Sequence, residues 1–120
     1  MTWTITLPWP RKCCSPNARC NRFEKARAIR ADRHDGGIAA LAGGFRAVEP
    51  GRFTLSWEFR PRVRRGFDDD NLTNWVKALR DGVAKAGGVD DACFRSLPPV
   101  VGDTARVPHV VLTIRRAADG

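Results

Sequence analysis

Three aspartates and an asparagine in succession, Asp68-Asp69-Asp70-Asn71, come directly after an arginine run of Arg60, Arg62, Arg64 and Arg65. So abrupt a reversal of charge is the most informative local feature of the sequence. Clustered carboxylates hold Mg²⁺, and bound Mg²⁺ supplies what phosphodiester hydrolysis needs: an activated water and a sink for charge on the scissile phosphate. In an extended approach to a helix, Asp68 and Asp70 project to the same side while Asp69 faces away. Asp90-Asp91, beyond the next helical run, offers a further carboxylate if the chain folds back. Lys77, in helical phase with Asp70, suits a phosphate oxygen or a developing negative charge. The arginines suit phosphates that flank a cut. Taken singly, each feature also has an ordinary structural use. Asp and Asn cap helices, Asp90-Asp91 fits a solvated turn, and Lys77 with Asp81 makes a surface pair worth a few tenths of a kcal/mol.

These residues need elements to position them. Trp3, Ile5 and Leu7 alternate with Thr2, Thr4 and Thr6 and predict a first strand that stops at Pro8 and Pro10. Ser15-Pro16 predicts a helix start, with Ser15 as cap and the helix running from Asn17 to about Arg33. On that helix Arg19, Arg22, Arg30 and Arg33 would form a basic stripe within about 80°. Gly36-Gly37 and Gly43-Gly44 punctuate the stretch between this helix and the next strand. Phe53, Leu55, Trp57 and Phe59 share one side of that second strand. Leu72, Trp75, Val76, Leu79 and Val83 then predict one helix from about Asn71 to Ala86, ending at Gly87-Gly88. Its polar face gathers Asp70, Asn74, Lys77 and Asp81 within about 40°. A closing strand is expected from Val107 to Arg115. Trp57 and Trp75 fall in apolar stripes and belong to the core, while Trp9 between prolines has no assigned place. The expected architecture is a single two-layer α/β (α+β) domain over residues 1–116, a small mixed β-sheet packed with two main helices, with residues 117–120 as a flexible tail.

With 120 residues, one core is the expectation. Its 21 Lys and Arg against 13 Asp and Glu give a net charge of +8, which favours a polyanionic partner, nucleic acid first. No segment approaches about 20 consecutive apolar residues, and Met1 to Trp9 lacks a basic region leading into an apolar run, so a soluble cytosolic protein is expected. In that reducing compartment Cys13, Cys14, Cys20 and Cys93 are expected as free thiols. Zinc on the cysteine cluster with His34 is the less favoured use, because the paired C-x2-C knuckle is missing.

Together, this order of elements and residues resembles the RusA family of Holliday junction resolvases, common in bacteriophages and prophages, over nearly the whole chain. The similarity rests on Ile5-Thr6-Leu7-Pro8-Trp9-Pro10 and Ser15-Pro16-Asn17-Ala18-Arg19 at the front. In the middle it rests on Asp68-x-Asp70-Asn71-Leu72, Lys77, Asp81-Gly82, Lys85-Ala86-Gly87 and Asp90-Asp91. The resemblance implies a homodimeric, Mg²⁺-dependent endodeoxyribonuclease, with Mn²⁺ as a substitute. It would resolve four-way junctions by paired nicks during DNA recombination and repair, in the bacterial cytoplasm, without membrane or small-molecule cofactor. Asp68, Asp70 and Asp91 would bind the metal and, with Lys77, carry catalysis. Lys77 departs from the family pattern, in which the lysine stands where this chain has Asn74. Arg60, Arg62, Arg64, Arg65, Asn17 and Arg19 would contact DNA. Competing expectations are a nuclease preferring flaps or forks, a non-catalytic basic DNA-binding accessory protein, and a zinc-stabilised RNA-binding module.

Overall fold

Period-two alternation produces the strands, and parallel crossovers bring the helices to one side of them. In the computed structural model of the chain, which describes residues 1–47 and 49–117, five strands form one mixed sheet. They are β1 (Thr2–Pro8), β2 (Phe53–Arg60), β3 (Phe94–Ser96), β4 (Val100–Val101) and β5 (His109–Arg116). The order is β1-β5-β2-β3, with β4 also pairing with β2. β5 runs antiparallel to both its neighbours, placing Leu112 opposite Ile5 on one side and Trp57 on the other. β3 and β4 run parallel to β2.

Two crossovers connect the strands, one from β1 to β2 through α1 (Arg22–Ala42), one from β2 to β3 through α2 (Asp69–Trp75) and α3 (Lys77–Gly87). Both advance in the same direction across the sheet, and right-handed connections therefore put all three helices on one face. Packing of α1 against α3 agrees with this. Ile5, Leu7, Phe53, Leu55, Phe59, Leu112 and Ile114 meet Leu72, Leu79 and Val83 in the buried core, whereas Thr2, Thr4 and Thr6 on the other face of β1 are exposed. The expected mixed sheet and layered single domain are present.

Several boundaries differ from expectation, each for an identifiable reason. The first helix begins at Arg22, not Asn17, because Asn21 is the cap: its side chain accepts from the N–H groups of Phe23 and Glu24 and donates back to Glu24. This is a reciprocal capping arrangement. Ser15 starts no helix but closes the short 3-10 turn Lys12–Cys14, its N–H donating to the carbonyl of Lys12, and Arg19 lies ahead of the helix, outside any stripe on it. Nor does the helix stop at Gly36-Gly37. It continues to Ala42, with Gly36 admitting the backbone of α3: a Cβ on Gly36 would overlap the carbonyl of Leu79, and one on Gly82 of α3 the carbonyl of Arg33. The helix expected from Asn71 to Ala86 starts earlier and is interrupted at Val76, whose φ of −92° and ψ of 5° separate α2 from α3. Backbone bonds from Val76 to Leu72 and from Arg80 to Val76 carry the chain through this bend. At the C-terminal end, Ala117 donates to the carbonyl of Arg52, and the rest of the expected tail, 118–120, lies outside the described residues. Among the described residues, no helix is long and apolar enough to cross a membrane.

Candidate functional site

Four aromatic side chains support the start of α2. Trp9 packs edge-on to Phe59 (5.7 Å) and Trp75 (5.6 Å) and lies 6.1 Å from Phe67. The Trp75 indole N–H donates to the carbonyl of Arg11 at 2.8 Å. Phe67 is thus anchored immediately before Asp68, whose Oδ1 accepts from the backbone N–H of Asp70 at 2.9 Å. Arg65 lies over the Phe67 ring at 5.2 Å. Asn17, Arg65, Asp68 and Asn71 line one groove of about 340 Å³ with Trp75 as a wall. Three residues from distant or adjoining loops, Asn17, Arg65 and Asp68, are therefore brought together.

Trp75 also lines a second groove of about 360 Å³, where Asn74, Lys77 and Asp81 of the expected polar face meet Lys25 and Arg33 of α1. Asp70, one turn earlier, is exposed and outside this lining. Burial pushes the Asp81 carboxyl above the usual range, nearby Asp91 raises it further, and Arg33, Lys77 and Arg80 act in the opposite sense. The chain does fold back after α3: Arg80 donates to the carbonyl of Asp91 at 3.2 Å. Asp90 caps the next turn, its Oδ1 accepting from the N–H of Ala92 at 2.9 Å.

An ionic anchor on a buried acid holds the loop that carries Ser15 and Asn17. Arg11 donates from its backbone N–H (3.1 Å) and its guanidinium (2.8 Å) to the fully buried Asp32, and from the guanidinium to Asp35 (2.7 Å). Beside it, the Cys14 thiol is pushed up to about 12, mainly by burial and then by Asp32. Sequence reading missed this anchor. The available signal was Asp32 at a four-residue interval between Ala28 and Gly36, an acid on the buried stripe of α1.

The other expected contacts are dispersed. Arg60 is half-buried and pairs with Glu58. Arg62, Arg64 and Arg19 are exposed, and Arg62 joins Arg65, Trp9 and Phe67 around a third hollow. Asp68, Asp69, Asp70, Asp90 and Asp91 are all exposed. Among the described residues, the set of three or more His, Cys, Asp or Glu whose ligand atoms all lie within 4.8 Å is Cys13, Cys20 and Glu24; Asp68, Asp70 and Asp91 make no such set. The expectation of four free thiols is corrected: Cys13 and Cys20 form a disulfide, and Cys14 and Cys93 are free. The turn at Lys12–Cys14 and the bend before α1 bring the two Cα atoms to 5.8 Å, within bonding reach. Disulfide-bonded sulfurs offer no thiolate, so this set does not suit zinc while the bond stands. Mg²⁺ keeps several waters and completes its shell with one or two carboxylates and substrate phosphate, which needs no preassembled three-acid cage.

No family model matches the chain. A protein of Xylella fastidiosa (strain Temecula1 / ATCC 700964), described as an uncharacterized protein, is 36% identical over 114 residues, spanning 92% of this chain and 74% of the relative. Identity of that degree across most of both sequences makes this chain a member of the same family as the Xylella fastidiosa protein.

Proposed function

We propose that this protein is a Mg²⁺-dependent, structure-selective endodeoxyribonuclease of the RusA type, acting on four-way or otherwise branched DNA as a homodimer. The observation that carries the reading is the pair of grooves sharing Trp75, one lined by Asn17, Arg65 and Asp68, the other by Asn74, Lys77 and Asp81. Carboxylates and cations thus line two neighbouring grooves of a protein with a net charge of +8, which suits a polyanion held beside a hydrolytic centre. Bound Mg²⁺ would supply an activated water and accept charge from the scissile phosphate. Asp68, Asp70 and Asp91 are its proposed ligands. Arg65 and Asn17 would hold the strand at the first groove, Arg60, Arg62, Arg64 and Arg19 the flanking phosphates, and Lys77 a phosphate oxygen at the second groove. Two copies related by a two-fold axis would match the two symmetric strands of a junction.

The direct test is nicking of a labelled four-way junction with Mg²⁺, with Mn²⁺ and with EDTA. We expect cleavage with either metal, none with EDTA, and a loss of about 100-fold or more for Asp68→Asn, Asp70→Asn and Asp91→Asn. Undiminished cutting by Asp70→Asn would sink the mechanism. Flap and fork substrates in the same assay distinguish the related preference. One observation favours a non-catalytic DNA-binding accessory protein instead: Asp68 and Asp90 each accept a backbone N–H in an ordinary capping role. That reading predicts metal-independent binding without cleavage.

A further inference from the structure

We propose that the outer groove between α1 and α3 is a docking site for an acidic amphipathic segment of another protein. The groove encloses about 600 Å³, more than either groove beside Trp75. Its floor is open because Gly37 and Gly82 contribute no side chains. Its walls are aliphatic: Ile38 and Leu41, one turn apart on α1, are 54% and 65% exposed, and Ala86 faces them from α3. Apolar side chains left together in water in this way mark a surface that gains from being covered.

The rim specifies what would cover it. Arg30, Arg33 and Lys85 stand around the aliphatic walls, and no carboxylate among the described residues lines the groove. Ion pairs among the described residues involve Arg11 and Arg60, so none of the three rim cations has an acid within 4.0 Å there. An amphipathic helix bearing Leu or Phe on one side and Asp or Glu beside them would satisfy both wall and rim. A second copy of the chain would bring the same cationic rim against this one, an unfavourable pairing at a net charge of +8. Nucleic acid would find the cations, but His34 is the one aromatic ring among the described residues of the lining, and the aliphatic Ile38 and Leu41 beside it gain nothing from phosphates. The inference goes beyond the nuclease reading and holds whether or not the protein cuts DNA.

The test is fluorescence anisotropy with a labelled synthetic peptide of about 14 residues, rich in Asp and Glu with Leu and Phe on one helical face. Binding in the range of about 10–100 µM is expected, weakened about tenfold or more by Leu41→Ser or by Lys85→Glu. Both side chains are exposed, and circular dichroism of each variant checks that the fold is intact. Peptides with Gln for the acids, or Ser for the apolar residues, should bind about tenfold more weakly as well. Equal binding by either control peptide, or by both protein variants, overturns the proposal. So does an oligonucleotide that competes for the groove and is itself weakened by Leu41→Ser, or a dimer in sedimentation that the same substitution dissolves.

Discussion

Asp32 is fully buried, and its partner Arg11 is half-exposed, so the pair anchors a loop without sealing both charges from water. Asp32→Ala would leave the Arg11 backbone N–H without its acceptor, and we expect a loss of about 2 kcal/mol in urea unfolding, discounted for the exposed guanidinium. The proposed DNA cleavage should fall with it, because Asn17 rides on the same loop. Cys14, held near 12, has a thiolate fraction of about one in 10⁴ at pH 8. It should therefore resist iodoacetamide in the native protein and react on unfolding, as peptide mass spectrometry would detect. Asp81 carries a pH signature. Its folded proton affinity is raised above the ordinary value of 3.8, so the folded state binds this proton more tightly than the unfolded chain. Stability is then lost as pH rises from below 3.8 through the higher folded value, and the deficit persists at neutral pH. In EDTA, Asp81→Asn should raise the melting temperature at pH 7, with the gain vanishing as pH falls below 3.8. At this scale the expected polar face was legible in part: Asn74 of α2 and Lys77 and Asp81 of α3 do line one groove, whereas Asp70 lies outside it. The Arg11–Asp32 pair was not, because 21 residues separate its members and only the tertiary fold makes them neighbours.

Helix α1 illustrates why glycine cannot be read from local preference alone. Gly36-Gly37 resembles a break because glycine costs about 1 kcal/mol in a helix, yet Gly36 of that pair, with Gly82 opposite, is what lets two helix backbones meet. Two positions separate the effects. Gly82→Ala, whose added methyl would overlap the Arg33 carbonyl, should destabilise by at least about 1 kcal/mol despite its better helix propensity. Gly37→Ala should be neutral or stabilising by up to about 1 kcal/mol, since its Cβ would lie 3.5 Å from the Gly82 carbonyl in ordinary contact. Equal losses in urea titrations of both variants would refute close packing at Gly82. The long strands β1, β2 and β5 were legible because each is long enough to display alternation. Strands β3 and β4, three and two residues long, are too short for any period and exist through pairing with β2.

The whole molecule is a cation before it is anything else, and its charge should govern encounter with DNA. The logarithm of affinity should fall by about 0.9 per logarithmic unit of salt for each duplex phosphate neutralised, and replacing Arg62, Arg64 and Arg65 by Ala should reduce that slope accordingly. A flat response in filter binding would exclude phosphate contact. Redox chemistry was the least legible global property. Four free thiols were expected, whereas the loop geometry joins Cys13 to Cys20. Strand β5 sits between β1 and β2 although it comes after every other element in the chain. A chain that reaches only Pro108 holds β1 as a lone strand apart from the β2-β3-β4 ladder, and Ile5 and Leu55 wait for Leu112 and Ile114 as partners. Closure is therefore postponed to the final strand, which is the regime of slow, non-local folding. Released chains truncated before His109 should remain open to protease, and those that include Arg116 should become resistant.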